Sequence, residues 1–259
     1  MYCTFLYIYF FFGAYLLLFH NIIAPTNSDG WPAIRLSIGG IFNGTGGTVT
    51  GSLVTTTDGD FNGGEAIEMY NGQSSPDTAS VGYFYDGISV VGGDAPRGAG
   101  GNALHVHGFG TEAFIYGGTF SGGKGANGDD GLSINVLNSA TVHIYSGSFN
   151  GDIEVGDSST IALYGCFMRN DTTNTISGTF VDETYFEVKV RERNGGSVDL
   201  ISVSEQECET APSMVPTNFP TISPQPTIPR PNDGSMRRVI CSFSIMATYT
   251  LVHFIGEIL

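Results

Sequence analysis

One short phrase, close to apolar-x-apolar-Tyr-x-Gly, recurs along this chain at spacings too long for a hairpin. It reads GYFYDG at 82–87, AFIYGG at 113–118, VHIYSG at 142–147 and IALYGC at 161–166, so the tyrosines step by 31, 29 and 19 residues. INVLNSATVHIY (134–145) and IEVGDSSTIALY (153–164) superpose without a gap, and LHVHGFGTEAFIY (104–116) follows them with one insertion. The extra length elsewhere falls in two glycine-rich runs, GGDAPRGAGGN (92–102) and GGKGANGDDG (122–131), both between the tyrosine motif and the next strand. Insertions confined to one corner are what stacked coils tolerate. A single unit cannot bury its apolar side chains, whereas unit on unit makes a continuous core. The 37 Gly, 18 Phe and 12 Tyr suit such a chain of short strands and tight turns.

These repeats resemble the right-handed parallel β-helix of the pectin-lyase-like class over residues 38–205, and the right hand agrees with parallel crossover chirality. The resemblance implies an all-β parallel solenoid. A β-sandwich is the competing architecture, but its hairpin turns would not preserve identical strand phrases in one direction. Strand alternation then sorts the side chains. Phe84, Ile115, Ile144 and Leu163 are expected inward, as are the pairs Leu104/Val106, Ile134/Val136 and Ile153/Val155. Tyr85, Tyr116, Tyr145 and Tyr164 are expected outward as one column, flanked by Tyr83, Phe114, His143 and Ala162. His105, Asn135 and Glu154 form a second outward column. Residues 176–203 switch to alternating apolar and charged positions around Asn194-Gly195-Gly196, which reads as a terminal hairpin capping the last coil.

The ends of the chain differ in composition. FLYIYFFFGAYLLLF (5–19) lacks charge and is apolar enough for a signal peptide or a membrane anchor, placed at 1–24. A Pro/Thr-rich stretch, 206–234, includes VPTNFPTISPQPTIPRP (215–231), which can neither pair in a sheet nor wind into a helix and reads as a disordered, extended stalk. The segment 239–259 follows Arg237 and Arg238 and reads as a transmembrane or lipid-anchor signal. Secretion would leave Cys166 and Cys208 together in an oxidising compartment, where one disulfide is the simple expectation and two separate buried thiols the alternative. It would also give weight to the N-glycosylation patterns at Asn43 and Asn170.

Charge narrows the partners. Twenty-five acidic residues against ten basic give a net charge of −15, and no basic stretch interleaved with aromatics exists to hold a nucleic acid. The tyrosine column suits stacking against sugar rings, and equally suits rings stacking on one another. GGKGANGDD resembles one copy of the calcium-binding nonapeptide of the toxin-repeat family, departing from it at Asn127 and Asp129. That resemblance makes calcium a candidate ion for Asp129 and Asp130, with Asp94 one coil away; a solvated glycine loop is the competing role.

For activity, the pectin-lyase-like resemblance implies either paired aspartates for hydrolysis or acidic calcium ligands with a basic proton abstractor for elimination. Here Asp129-Asp130 is the only adjacent pair of aspartates, and the Gly-His-Gly and Arg-Ile-Lys phrases of the polygalacturonases are missing. His105-Val106-His107 puts two imidazoles on one strand face without an evident third ligand. The expected function is a non-catalytic, secreted or surface-tethered solenoid that binds or organises extracellular polysaccharide or glycoprotein. The stalk and anchor resemble those of microalgal cell-surface proteins. The alternative is a polysaccharide lyase or glycoside hydrolase of the β-helix class.

Overall fold

A computed structural model describes residues 8–10, 15–18, 21–24, 30–37, 39–55, 61–72 and 78–202. They all fall in the first of two units, Met1–Ala211 and Pro212–Leu259. The expected Pro/Thr-rich stalk and C-terminal anchor lie outside the described residues. Among those residues there is no α-helix, and no helix is long and apolar enough to cross a membrane.

The strands come in successive triplets. They are β1 (Ile8–Phe10), β2 (Tyr15–Leu18), β3 (Ile22–Ile23); β4 (Ile34–Ser37), β5 (Ile41–Gly44), β6 (Gly47–Thr50); and β7 (Ile67–Tyr70), β8 (Val81–Phe84), β9 (Ile88–Val91). Then follow β10 (Leu104–His107), β11 (Glu112–Ile115), β12 (Thr119–Ser121); β13 (Ile134–Leu137), β14 (Thr141–Ile144), β15 (Ser148–Asn150); and β16 (Ile153–Val155) with the long β17 (Thr160–Asn170). Within these triplets each strand pairs in parallel with its counterpart in the next. The columns are β1-β4-β7-β10-β13-β16, β2-β5-β8-β11-β14-β17 and β3-β6-β9-β12-β15. Parallel strands in stacked sheets, one turn of chain per rung, are compatible with a β-helix-like solenoid. Pairing begins upstream of residue 38: Ile8 sits opposite Ile34, and Tyr15 opposite Ile41.

Period-2 alternation sends one face of every column into a shared core. Ile34, Ile67, Leu104, Ile134 and Ile153 stack in register down the first column, each at most 1% exposed. Phe84, Ile115, Ile144 and Leu163 do the same in the second. Where a large ring enters, a glycine makes room. Phe42 lies opposite Gly82 and Phe84 opposite Gly44, so the two rings meet at a centroid distance of 5.1 Å without crowding a neighbour in register. Each such residue removed from water stabilises the fold by roughly 1.5–3 kcal/mol.

The end of the domain corrects one expectation. The antiparallel excursion is β17–β18 (Thr175–Phe180)–β19 (Tyr185–Glu192), turning at 171–174 and 181–184 rather than at Asn194-Gly195-Gly196. β19 also pairs in parallel with β16, and β20 (Ser197–Ile201) in parallel with β17. Asn194 and Gly195, at φ 49° and 79°, therefore make a corner between columns. Asp157-Ser158 and Asn138-Ser139 make the same left-handed corner one and two rungs away. A consecutive pair of left-handed residues serves a hairpin and this corner alike. Phe167, Phe180 and Phe186 pack edge-to-face at 5.1 to 5.6 Å and close the core under the excursion.

The glycine-rich runs lie where the third column hands over to the first, and their bases interlock. The N–H of Gly64 donates to Ser52 O, that of Gly93 to Gly64 O, Gly101 to Gly93 O, Gly123 to Gly101 O and Gly131 to Gly123 O, at 2.7 to 3.0 Å. Outgoing and returning limbs thus alternate in one hydrogen-bonded spine, so that main chain closes the necks Ser52/Gly64, Gly93/Gly101 and Gly123/Gly131. A Cβ on Gly101 would lie 2.1 Å from the carbonyl oxygen of Gly64, which only glycine avoids.

Candidate functional site

Two outward columns carry the side chains with chemistry. On the second column, register places Tyr83, Phe114, His143 and Ala162 side by side. One residue past the inward row, Tyr85, Tyr116, Tyr145 and Tyr164 form an unbroken stack. Successive centroids are 5.3, 4.9 and 4.2 Å apart and the rings lie within 16° of parallel. Tyr83, Phe114 and His143 stack beside them at 5.4 and 4.8 Å. His143 Nδ1 lies 3.0 Å from the Tyr164 hydroxyl and ties the two rows together.

The sequence placed these tyrosines outward in one column, and Tyr85 and Tyr116 are exposed there. Their faces are spent on one another, however, so within the stack only ring edges and hydroxyls are offered to a ligand. Burial, then the hydrogen bond with Tyr164, pushes the Tyr145 phenol up to about 12. Burial also raises Tyr116, helped by the neighbouring phenols. Burial likewise lowers the His143 imidazole, against the pull of Glu112. These shifts favour the uncharged forms of Tyr116, Tyr145 and His143.

The first column carries Arg35, Glu68, His105, Asn135, Glu154 and Arg191 in register. His105, Asn135 and Glu154 were legible as an outward row; the buried Glu68 was not. Its carboxylate accepts from Arg35 Nε at 2.6 Å and Nη2 at 3.0 Å, and lies 3.0 Å from His107 Nε2. Burial alone would raise this carboxyl, but the hydrogen bonds from His107 and Arg35 outweigh it and hold it at about 2. His105 Nδ1 lies 2.8 Å from Glu65 Oε1, and the two imidazoles stack at 4.3 Å. One ligand atom each from Glu68, His105 and His107 lies within 4.8 Å of the other two. The phrase AIEMY (66–70), in line with AIRLS (33–37) and ALHVH (103–107), was the signal that could have supplied the third ligand.

The acidic loops are arranged differently. Asp130 pairs with Lys124 Nζ at 2.6 Å and accepts from the Gly125 N–H at 3.1 Å, while Asp94 accepts from the Lys124 N–H at 2.6 Å. Asp129 lines a depression of about 420 Å³ with Asn62, Arg97 and Asn127. Among the described residues, Asp94, Asp129 and Asp130 are not gathered as a metal-ligand set; Asp94 and Asp130 converge on Lys124 instead. Cys166 is disulfide-bonded, and Cys208 lies outside the described residues. Asn170 is exposed at the end of β17 and accepts from the Thr172 N–H. Asn43 sits within β5, its Oδ1 buried without a partner.

No family model, no curated protein and no solved structure matches the chain.

Proposed function

We propose that the chain is a non-catalytic right-handed β-solenoid, secreted or surface-tethered by its terminal segments, that binds or organises extracellular glycan along its tyrosine ladder. The observation that supports this reading is the unbroken stack Tyr85-Tyr116-Tyr145-Tyr164 on an outward column. Parallel strands repeat the ring every rung, about 4.8 Å apart. A row of neutral hydroxyls at that repeat suits an extended polymer of sugar hydroxyls lying along the stack, and ring edges add apolar contact. Because the faces are already paired, recognition runs through the hydroxyls rather than through sugar rings stacked flat on tyrosine. An acidic molecule of this kind favours neutral over polyanionic glycans.

The test is a panel of neutral and acidic polysaccharides presented to the full-length protein and to a Tyr116→Phe/Tyr145→Phe variant. The rings remain in this variant, so its stack should be kept and its stability should fall only by the lost Tyr145–Tyr164 hydrogen bond, about 1 kcal/mol. Loss of two hydroxyl hydrogen bonds, at about 1 kcal/mol each, should weaken binding by roughly tenfold or more. Retention of no polysaccharide by the wild type, or equal retention by both proteins, would leave the ladder a purely structural stack.

A further inference from the structure

His105 Nε2 and Asn135 Oδ1 are both shut off from solvent, and neither has a hydrogen-bond partner. The residues are opposite each other in register on β10 and β13. The tautomer of His105 follows from its other nitrogen: Nδ1, 2.8 Å from the Glu65 carboxylate, carries the hydrogen and donates it. Nε2 is then a bare lone pair. A lone-pair nitrogen and a carboxamide oxygen on residues in register are thus two buried acceptors with no donor, an arrangement that a cation resolves. A carboxylate that holds the far nitrogen of a histidine is also the usual orienting partner of a metal-bound imidazole.

We infer that Glu68, His105 and His107, with the Asn135 carboxamide as fourth donor, form a divalent metal site of the zinc class. Two imidazole nitrogens and a carboxylate oxygen select a borderline transition ion over calcium or magnesium, which take oxygen donors. Donors around tetrahedral zinc stand about 3.3 Å apart, as metal–nitrogen distances of about 2.05 Å require. The three ligand atoms, now within 4.8 Å, reach that by side-chain rotation, the ion replacing the hydrogen bond between His107 and Glu68. Glu65 is a positioning residue and touches no ion. Glu68 belongs to β7, the histidines to β10 and Asn135 to β13, so the ion would pin three successive rungs and act structurally. This goes beyond the glycan reading and uses a different column of the molecule.

The experiment titrates zinc chloride, and cobalt chloride as a visible reporter, into the full-length apo protein. Wild type should bind one equivalent with micromolar or tighter affinity, show the intense visible absorption of tetrahedral cobalt, and melt several degrees higher with zinc. His105→Ala and His107→Ala should lose that equivalent. Glu65→Gln keeps every ligand but weakens the hold on the His105 tautomer, so its affinity should fall about 10- to 100-fold with the metal-free melting temperature unchanged. Absence of binding by wild type, or binding undiminished in the histidine variants, would overturn the site. If the histidine variants fail to fold, Glu65→Gln decides: weakened binding supports the site and undiminished binding overturns it.

Discussion

Ile144 and His143 are neighbours in sequence and opposites in environment. Ile144 is fully buried and paired in register with Leu163, whereas His143 faces outward between Phe114 and Tyr164. Ile144→Asp puts an unpaired charge into a narrow core and should abolish the cooperative melt. His143→Asp loses one stacking row and one hydrogen bond and should lower stability by only about 1–2 kcal/mol, both read by thermal unfolding. The inward and outward assignments at these positions were legible because the 19-residue repeat superposes two rungs without a gap. Glu68 was not, because its partners Arg35 and His107 come from different rungs, and nothing local marks a buried carboxylate. Tyr145 gives a pH signature. Its folded pKa, about 12, lies above the ordinary value of about 10, so the folded state holds the proton more tightly. That stabilisation is complete below pH 10 and is lost as pH rises towards 12. Above pH 10 the melting temperature of wild type should therefore fall more steeply than that of Tyr145→Phe; parallel slopes would show that the phenol is not held in its neutral form.

Among the elements, the glycine spine and the terminal excursion carry the clearest consequences. Gly101→Ala drives a methyl against the backbone oxygen of Gly64, and neither strand limb can move without breaking the hydrogen bonds above and below. It should destabilise by at least about 2 kcal/mol in chemical denaturation. Gly128→Ala, in the same run but with nothing within 4 Å, meets only the strain of its φ of 83° and should cost about 1 kcal/mol. Equal effects would contradict the interlock. The position of these runs, after the tyrosine motif and before the next strand, was readable from spacing alone. The role of Asn194-Gly195 was not, since the same two left-handed residues turn a hairpin or a corner, and only the long-range pairing of β19 with β16 and β20 with β17 decides between them. The apolar run at 5–19 is ambiguous for a similar reason: continuous hydrophobicity describes a buried strand and a signal-peptide core equally well.

At the scale of the whole molecule, a net charge of −15 means that the folded chain repels itself. Raising sodium chloride from low to physiological concentration should raise the melting temperature as that repulsion is screened. Calcium chloride at matched ionic strength should add nothing further, because Lys124 already stands between Asp94 and Asp130; an extra shift with calcium alone would mean that the loops rearrange around the ion. The spine that forbids a methyl at its necks extends part of the way into the loops beyond them. Main chain closes the necks Ser52/Gly64, Gly93/Gly101 and Gly123/Gly131, and beyond them neighbouring loops still touch: the Ala95 N–H donates to Lys124 O, the Gly100 N–H to Asp129 O and the Ala126 N–H to Gly98 O. The domain is thereby a scaffold with one narrow editable point: a foreign peptide grafted between the exposed Pro96 and Arg97 should be carried outward without disturbing the columns, whereas replacing Ala95 or Gly100 should be felt in the next loop as well.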